Sequence, residues 1–292
     1  MVRRLLRRWL PFELRLRIAL LRRWLRDRRA RHAFAGLRVN DGAFVHTIAS
    51  YERTIPIYPG QEQLAEAKRT NQRTMASALD GALIGPGELF SLWRYAGRPT
   101  ACAGYARAAA IKDGLLTTDI GGATCLIATV VYNLALLGAM EVVERRCHSV
   151  DSYGPRRYFE LGRDAAIEFG YTDLRFRNPH PYPVVVRLWV EDERITARLL
   201  AAAPRDFCVE IRVSEPRNLQ PGRIERECRQ LAAGQRRLVA EALPGIVTRT
   251  TRIVLYRDGR VRRDDLGESL HKPQPAIVEV GRRSRHSRTA GA

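Results

Sequence analysis

Asp119-Ile-Gly-Gly-Ala-Thr-Cys125-Leu-Ile-Ala-Thr-Val-Val-Tyr-Asn-Leu-Ala-Leu-Leu-Gly-Ala-Met-Glu-Val-Val-Glu-Arg-Arg-Cys-His148-Ser149 is the stretch whose reading decides the fold. Gly121 and Gly122 supply a turn that lets backbone approach a ligand, and Thr124 is placed to cap a helix. The apolar run from Leu126 to Val143 is helical in length and composition. Cys125 therefore falls in the first turn of a buried helix. There the unpaired N–H groups and the positive end of the helix dipole favour a thiolate, the state in which cysteine is a nucleophile. His148 lies beyond the far end. A helix from Leu126 to Arg145 is roughly 30 Å long, so His148 reaches Cys125 only if the chain folds back after Arg146. The competing reading is that Cys125 is a packing residue, as a lone cysteine on an apolar helix commonly is.

The rest of the chain bounds the chemistry. Its 292 residues, 45% of them hydrophobic, suffice for one large or two modest domains without metal or disulfide staples. The formal net charge is +19, of which residues 1–36, with twelve arginines against Glu13 and Asp27, hold +10. Arg282, Arg283, Arg285 and Arg288 add +4 at the other end, leaving an ordinary +5 for the body. Charge collected at the ends points to an electrostatic anchor rather than a basic catalytic groove. Five cysteines at irregular spacing, with no Cys-x-x-Cys pair, argue against a disulfide framework. A zinc site drawn from Cys102, Cys125, Cys147 and His148 lacks the close ligand pairs such sites use, so no metal and no other cofactor is expected.

Outward toward the N-terminus, residues 1–36 read as a basic amphipathic helix. Leu14, Ile18, Leu21 and Leu25 form a stripe, with Arg15, Arg22, Arg23, Arg26 and Arg29 on the polar side. Such a helix suits an anionic membrane surface; alternatively, Leu14, Ile18 and Leu21 pack on the body. No apolar stretch approaches the roughly 20 residues of a membrane span, and arginines interrupt every candidate signal-peptide core. The expectation is peripheral membrane association, on a side the sequence leaves open. Nucleic acid is disfavoured as a partner, because aromatics are not interleaved with the arginines.

Residues between Phe44 and Pro59 alternate as a strand, and a helix follows with Leu64, Ala67, Met75, Leu79 and Leu83 on its apolar face and Asn71 inside that stripe. Asn71 reads as a helix-pinning amide. Glu88 to Arg94 reads as an extended segment whose polar groups, Ser91 and Arg94 among them, face a site. Beyond the central helix the pattern turns to strands: Ala165–Phe169, Leu174–Phe176, then Val184 to Val190 returning as Ile195, Ala197 and Leu199. Phe207–Val213 is a further strand, residues 216–235 are polar connection, and Thr248–Tyr256 pairs with Val261–Arg263 across Asp258-Gly259. The fold class is α+β, a buried central helix with a cysteine at its N-terminus on an antiparallel sheet. The expected divisions are 1–36, an α+β domain over 37–203, a small β-rich module over 204–281 and a disordered basic tail over 282–292.

Several motifs in one order resemble the VanW family of bacterial cell-wall metabolism: the Pro11-Phe12 entry, Asn71, Pro86-Gly-Glu-x-Phe-Ser-x-Trp-Arg94, Asp113-Gly-x-Leu-Thr-Thr118, the glycine–cysteine turn, Arg145-Arg-x-His148 and Gly162-x-Asp164-Ala. The resemblance runs from about Pro11 to Leu199. It implies a cell-wall function associated with glycopeptide resistance, and some proteins with this domain are peptidoglycan L,D-transpeptidases, for which the cysteine of the glycine turn is the expected nucleophile. Carried over, Cys125 attacks, His148 is the base, and Asp164 orients the imidazole in preference to Asp151 or Asp173. Backbone N–H groups of the turn, Gly121 and Gly122 included, hold the oxyanion, and Ser91 and Arg94 face the substrate. The partner expected is peptidoglycan or a lipid-linked precursor. The chain departs from the family pattern at Ala123, Leu126 and Ala128, where a glycine, a glutamine and a serine are usual. The alternative function is a non-catalytic accessory protein that binds wall material or its precursors.

Overall fold

The computed structural model describes residues 10–39, 42–112 and 115–281. The basic tail, the first nine residues, and Asp113 and Gly114 of one motif lie outside the described residues. In chain order, α1 (Phe12–Arg29) is followed by β1 (Leu37–Arg38), β2 (His46–Thr54), α2 (Ala65–Leu79), β3 (Ala82–Ile84), β4 (Leu89–Ser91) and a short α3 (Leu92–Ala96). A hairpin of β5 (Arg107–Lys112) and β6 (Leu115–Ile120) runs into the glycine turn and α4 (Cys125–Leu137). Next come β7 (Glu141–Glu144), β8 (Arg175–Arg177), β9 (Val184–Glu191) and β10 (Arg194–Ala201). The remainder is β11 (Phe207–Val213), β12 (Arg217–Leu219), β13 (Arg223–Cys228), β14 (Arg236–Ala240), β15 (Gly245–Tyr256), β16 (Val261–His271) and β17 (Ala276–Gly281).

The architecture is α+β. Five antiparallel strands in the order β1-β3-β9-β10-β2 form the main sheet, and α4 packs on β2 and β10 while α2 packs on β9. Alternation sets the register: Val184, Val186 and Leu188 of β9 and Ile195, Ala197 and Leu199 of β10 are buried toward the helices. On β10 the intervening Arg198 is exposed and lies over the Trp189 ring. Every residue from Leu126 to Leu136 is buried, which explains why α4 is apolar all round rather than striped.

The central helix is shorter than its apolar run. It ends at Leu137, about 20 Å from its start. Gly138 and Ala139 then close it, with Met140 N–H donating to Ala135 O at 2.9 Å and Ala139 in the left-handed region (φ 55°). Val142 and Val143, expected within the helix, lie in strand β7, which pairs with β8 and carries the chain back along the helix. That reversal is what the sequence requires for His148 to meet Cys125. Other segments also differ from expectation. Leu83 lies in β3, not in α2; residues 92–96 are helical rather than extended; and Ala165–Phe169 is irregular apart from a bridge between Glu168 and Thr172. The stretch 216–235 contains β12 and β13.

The late strands are not remote from the core. β15 pairs with β11, β12 and β16, and Phe207 and Val254 join the main hydrophobic cluster. Arg252 of β15, 1% exposed, donates to Ala135 O, Leu136 O and Met140 O at 3.4, 3.0 and 2.7 Å while pairing with Asp264 at 2.7 Å. A guanidinium thus adds a charged donor to the carbonyls at the negative end of α4. Strands β13, β17 and β14 form a separate three-stranded sheet. Among the described residues no helix is long and apolar enough to cross a membrane.

Candidate active site

The turn before α4 is built by close approach. Gly121 adopts φ +76°, and a Cβ on Gly122 would stand 2.3 Å from Ala108 O, so only glycine fits there. Ala123 also adopts a positive φ (68°), a cost of roughly 1 kcal/mol that glycine avoids. Asn71 and Gln72 of α2 hold the turn's carbonyls: Asn71 Nδ2 donates to Gly122 O (2.9 Å) and Ala106 O (2.9 Å), and Gln72 Nε2 donates to Ala123 O (3.3 Å). Asn71 is thus the pinning amide its place in the stripe indicated, and it pins the glycine turn. Thr124 does not cap the helix; its hydroxyl donates to Gly121 O at 2.9 Å. The amides of Gly121 and Gly122 are taken by Ala106 O and Asp119 O, which removes both from oxyanion binding. The amides of Ala123, Thr124, Cys125 and Leu126 donate to no protein group among the described residues. They leave an anion-binding helix start around the thiol.

Cys125, His148 and Asp164 come together here. Cys125 Sγ lies 3.8 Å from Ile167 O and beside the His148 imidazole, close enough for the two groups to shift each other's charge state. His148 Nδ1–H donates to Asp164 Oδ2 at 2.7 Å, and the same oxygen accepts the His148 backbone N–H at 2.7 Å. His148 Nε2 lies 3.1 Å from the Tyr158 hydroxyl, and its ring stacks on Phe159 at 5.6 Å. Asp164 is wholly buried, with Arg145 donating to its Oδ1 (2.9 Å) and to its backbone carbonyl (2.6 Å). The segment carrying Asp164 is sewn to α4 by Thr129, whose hydroxyl accepts the Ala165 N–H at 3.0 Å, and by Asn133, which donates to Arg163 O at 2.9 Å.

The same contacts set the charge states. Burial pushes the Cys125 thiol up, but the proximity and charge of His148, with a contact to the Ile167 backbone, outweigh it and hold the thiol below its ordinary value. Burial likewise opposes the His148 imidazolium, and Asp164 and Cys125 overcome it, raising the group to about 10. Burial disfavours the Asp164 carboxylate as well; the hydrogen bond from His148 and the His271 ring 3.5 Å away, with Arg145 nearby, keep it far below the usual carboxylate range. Tyr158 is pushed well above its usual range by burial and the neighbouring thiolate, so it stays a neutral hydroxyl. At neutral pH His148 is an imidazolium backed by the Asp164 carboxylate, and its charge favours the thiolate form of Cys125. The His148 side chain keeps 17% exposure, so the pair can be reached.

Other carboxylates near in sequence are occupied elsewhere. Asp151 pairs with Arg157 (2.6 Å) and accepts the Tyr153 and Gly154 amides; Asp173 accepts from Ser91 (2.6 Å) and Arg175 (2.8 Å). The structure does not bring Ser91 and Arg94 to the thiol: Ser91 is spent on Asp173, and Arg94 lies over the Phe34 ring at 4.5 Å.

Sequence reasoning missed the C-terminal contribution. Arg145 also donates to Ser269 (2.8 Å), and His271 of β16, fully buried, stacks on Phe159 at 5.6 Å with Nε2 3.5 Å from Asp164. No local signal marks residues that lie 124 positions from their partners. Tyr158 also lines an open cleft of about 370 Å³ bordered by Arg53, Arg156, Arg157 and Arg194.

Among proteins similar to this chain, the Enterococcus faecalis Vancomycin B-type resistance protein VanW is 28% identical over 182 residues, 58% of this chain and 66% of that protein. The uncharacterized Bacillus subtilis protein YoaR is 29% identical over 122 residues, covering 42% of this chain and 39% of its own length. The chain thus spans just under two thirds of the first relative and less of the second. Among solved structures, the G5 domain of an IgA1 protease matches at 23% identity over 27% of this chain and 96% of that domain, with a TM-score of 0.21. Residues 67–200, which hold Cys125, His148 and Asp164, match the family described as VanW like protein, and this part of the chain is a VanW-like domain.

Proposed function

We propose that this protein is a cysteine-dependent acyl transferase of bacterial cell-wall metabolism, acting on peptidoglycan or a lipid-linked precursor. The observation that carries the reading is the Cys125–His148–Asp164 alignment at the start of α4, in which His148 lowers the thiol from its ordinary value. The resistance named for the Enterococcus faecalis relative supports the cell-wall assignment.

In this reading the Cys125 thiolate attacks an amide carbonyl carbon, forming a C–S bond, and the carbonyl π electrons move to oxygen. Amides of Thr124, Cys125 and Leu126 are the free donors that can receive that oxyanion. Collapse breaks the C–N bond as His148 gives its proton to the leaving amine, leaving a thioester and neutral imidazole. An amine or water then attacks the thioester, His148 takes the incoming proton, and the C–S bond breaks to restore the pair. Asp164 keeps Nδ1 protonated throughout, so that Nε2 faces the chemistry. The arginine-lined cleft beside Tyr158 suits a carboxylate-bearing acyl donor.

The test is to incubate the protein with peptidoglycan-derived peptides and follow intact mass. An acyl adduct on Cys125 in wild type and none in Cys125→Ser supports the reading. Absence of both adduct and transfer product in a folded protein that still retains the peptides supports the second reading, a non-catalytic binding protein. One observation favours that alternative: Leu126 and Ala128, where the family usually has glutamine and serine, are buried core residues.

A further inference from the structure

Helix α1 has two apolar faces, and only one of them is covered by protein. Its inner face carries Leu16, 3% exposed and set against Gly170, where a Cβ would meet Leu16 Cδ1 at 2.4 Å. On the same side Arg23 forms a two-pronged pair with Glu144 (2.6 and 2.8 Å), and Arg175 forms one with Asp27 (2.7 and 3.0 Å). These contacts fix the rotation of the helix. At 3.6 residues per turn, Leu14, Ile18, Leu21 and Leu25 fall within about 60° of one another, and the centre of that stripe is about 170° from Leu16. The alternative that Leu14, Ile18 and Leu21 pack on the body fails for Leu14 and Leu21, which are 44% and 55% exposed, while Ile18 is half-buried and Leu25 is 37% exposed. Trp24, beside the stripe, is 52% exposed.

Charge says what covers this face. Arg17 and Arg28 flank the stripe on one side and Arg22 and Arg29 on the other, and all four are exposed. None of them forms an ion pair with another described residue, whereas the helix's two acids are spent on Arg98 and Arg175. A row of leucines bordered on both sides by unpaired guanidiniums, with an indole at the edge, matches a bilayer interface: acyl chains for the leucines, anionic headgroups for the arginines, the headgroup boundary for Trp24.

We propose that the outward face of α1 seats the protein on an anionic lipid surface, lying in the interface without crossing it. The proposal is independent of the acyl-transfer reading, since α1 contributes no group to the Cys125 centre.

The full-length protein is sedimented with vesicles of phosphatidylcholine containing phosphatidylglycerol, and with phosphatidylcholine alone. Expected are binding to the anionic vesicles, little to the neutral ones, weakening with added salt, and a blue shift of tryptophan emission that Trp24→Phe removes. The triple variant Leu14→Gln, Leu21→Gln, Leu25→Gln changes only exposed positions, and with the wild-type melting temperature it should bind at least about tenfold more weakly. Equal binding by the triple variant, or by neutral vesicles, overturns the proposal. Absence of vesicle binding by wild type overturns it without any variant. A dimer in solution that the triple variant converts to monomer, with no vesicle binding, assigns the face to a second copy of the chain instead.

Discussion

Replacing His148 by glutamine removes the imidazolium that holds Cys125 as a thiolate and leaves a polar side chain in its place. Burial is the largest influence on this thiol and acts upward; the hydrogen bond and charge of His148 are the next largest and act downward. Without them the thiol titrates at or above the ordinary 9.0. At pH 6 a thiol of that value is on the order of 0.1% thiolate, and its reactivity climbs about tenfold per pH unit. A more basic thiolate is a better nucleophile by about a factor of 3 per unit, which returns part of the loss. The variant should therefore alkylate at least about tenfold more slowly than wild type near pH 6. The assay is iodoacetamide labelling of the native protein, resolved by peptide mass because Cys102 and Cys208 are exposed. Wild type should show a level rate through neutrality, changing again near pH 10, where His148 loses its proton. Two superimposable profiles, or a wild-type rate that rises tenfold per unit like a free thiol, would refute the ion pair.

Three further outcomes follow from the same contacts. The two shifts act on stability in opposite senses: folded His148 keeps its proton to about 10, so its contribution declines as pH rises above 6.5, while the lowered Cys125 thiol offsets that decline below 9, where the unfolded thiol ionises too. Urea titrations should show stability falling by about 1.4 kcal/mol per pH unit between 9 and 10, and Cys125→Ala should move the start of the decline down toward 6.5. Ala123→Gly relieves the positive φ and should raise stability by about 1 kcal/mol in the same titrations. Arg252→Leu strips the carbonyls at the end of α4 of their donor and should cost on the order of 3 kcal/mol, whereas Arg249→Leu, an exposed residue, should stay within about 0.5 kcal/mol.

Local chemistry was legible and return paths were not. Gly121-Gly122 before an apolar run announces a tight turn into a buried helix, and the alternation Val184 to Leu199 announces a hairpin, because each signal lies within a few residues of the structure it produces. The length of α4 was misjudged because Val142 and Val143 suit a buried strand as well as a buried helix; only the Gly138-Ala139 closure distinguishes them. Asp164 stands out as part of a motif, yet nothing near it names Arg145 as one of the groups that keep it ionised, and nothing names Ser269 or His271 at all. Those identities depend on how β16 lies against the core, a matter of tertiary packing. The oxyanion donors shifted for a smaller reason: Gly122 N–H finds Asp119 O across the turn, so the free amides begin one residue later.

The docking of β15 and β16 also sets when the support around α4 and Asp164 is completed. Arg252 reaches back 116 residues to Leu136, and Ser269 is 124 residues from Arg145. During synthesis Cys125 emerges long before these strands, and contacts of such separation form late because a long loop must close first. Until then Arg145 lacks its Ser269 acceptor, the end of α4 lacks its donor, and Asp164 is open to water. In the nascent chain the surroundings of Asp164 and the far end of α4 therefore stay incomplete until the last strands are in place.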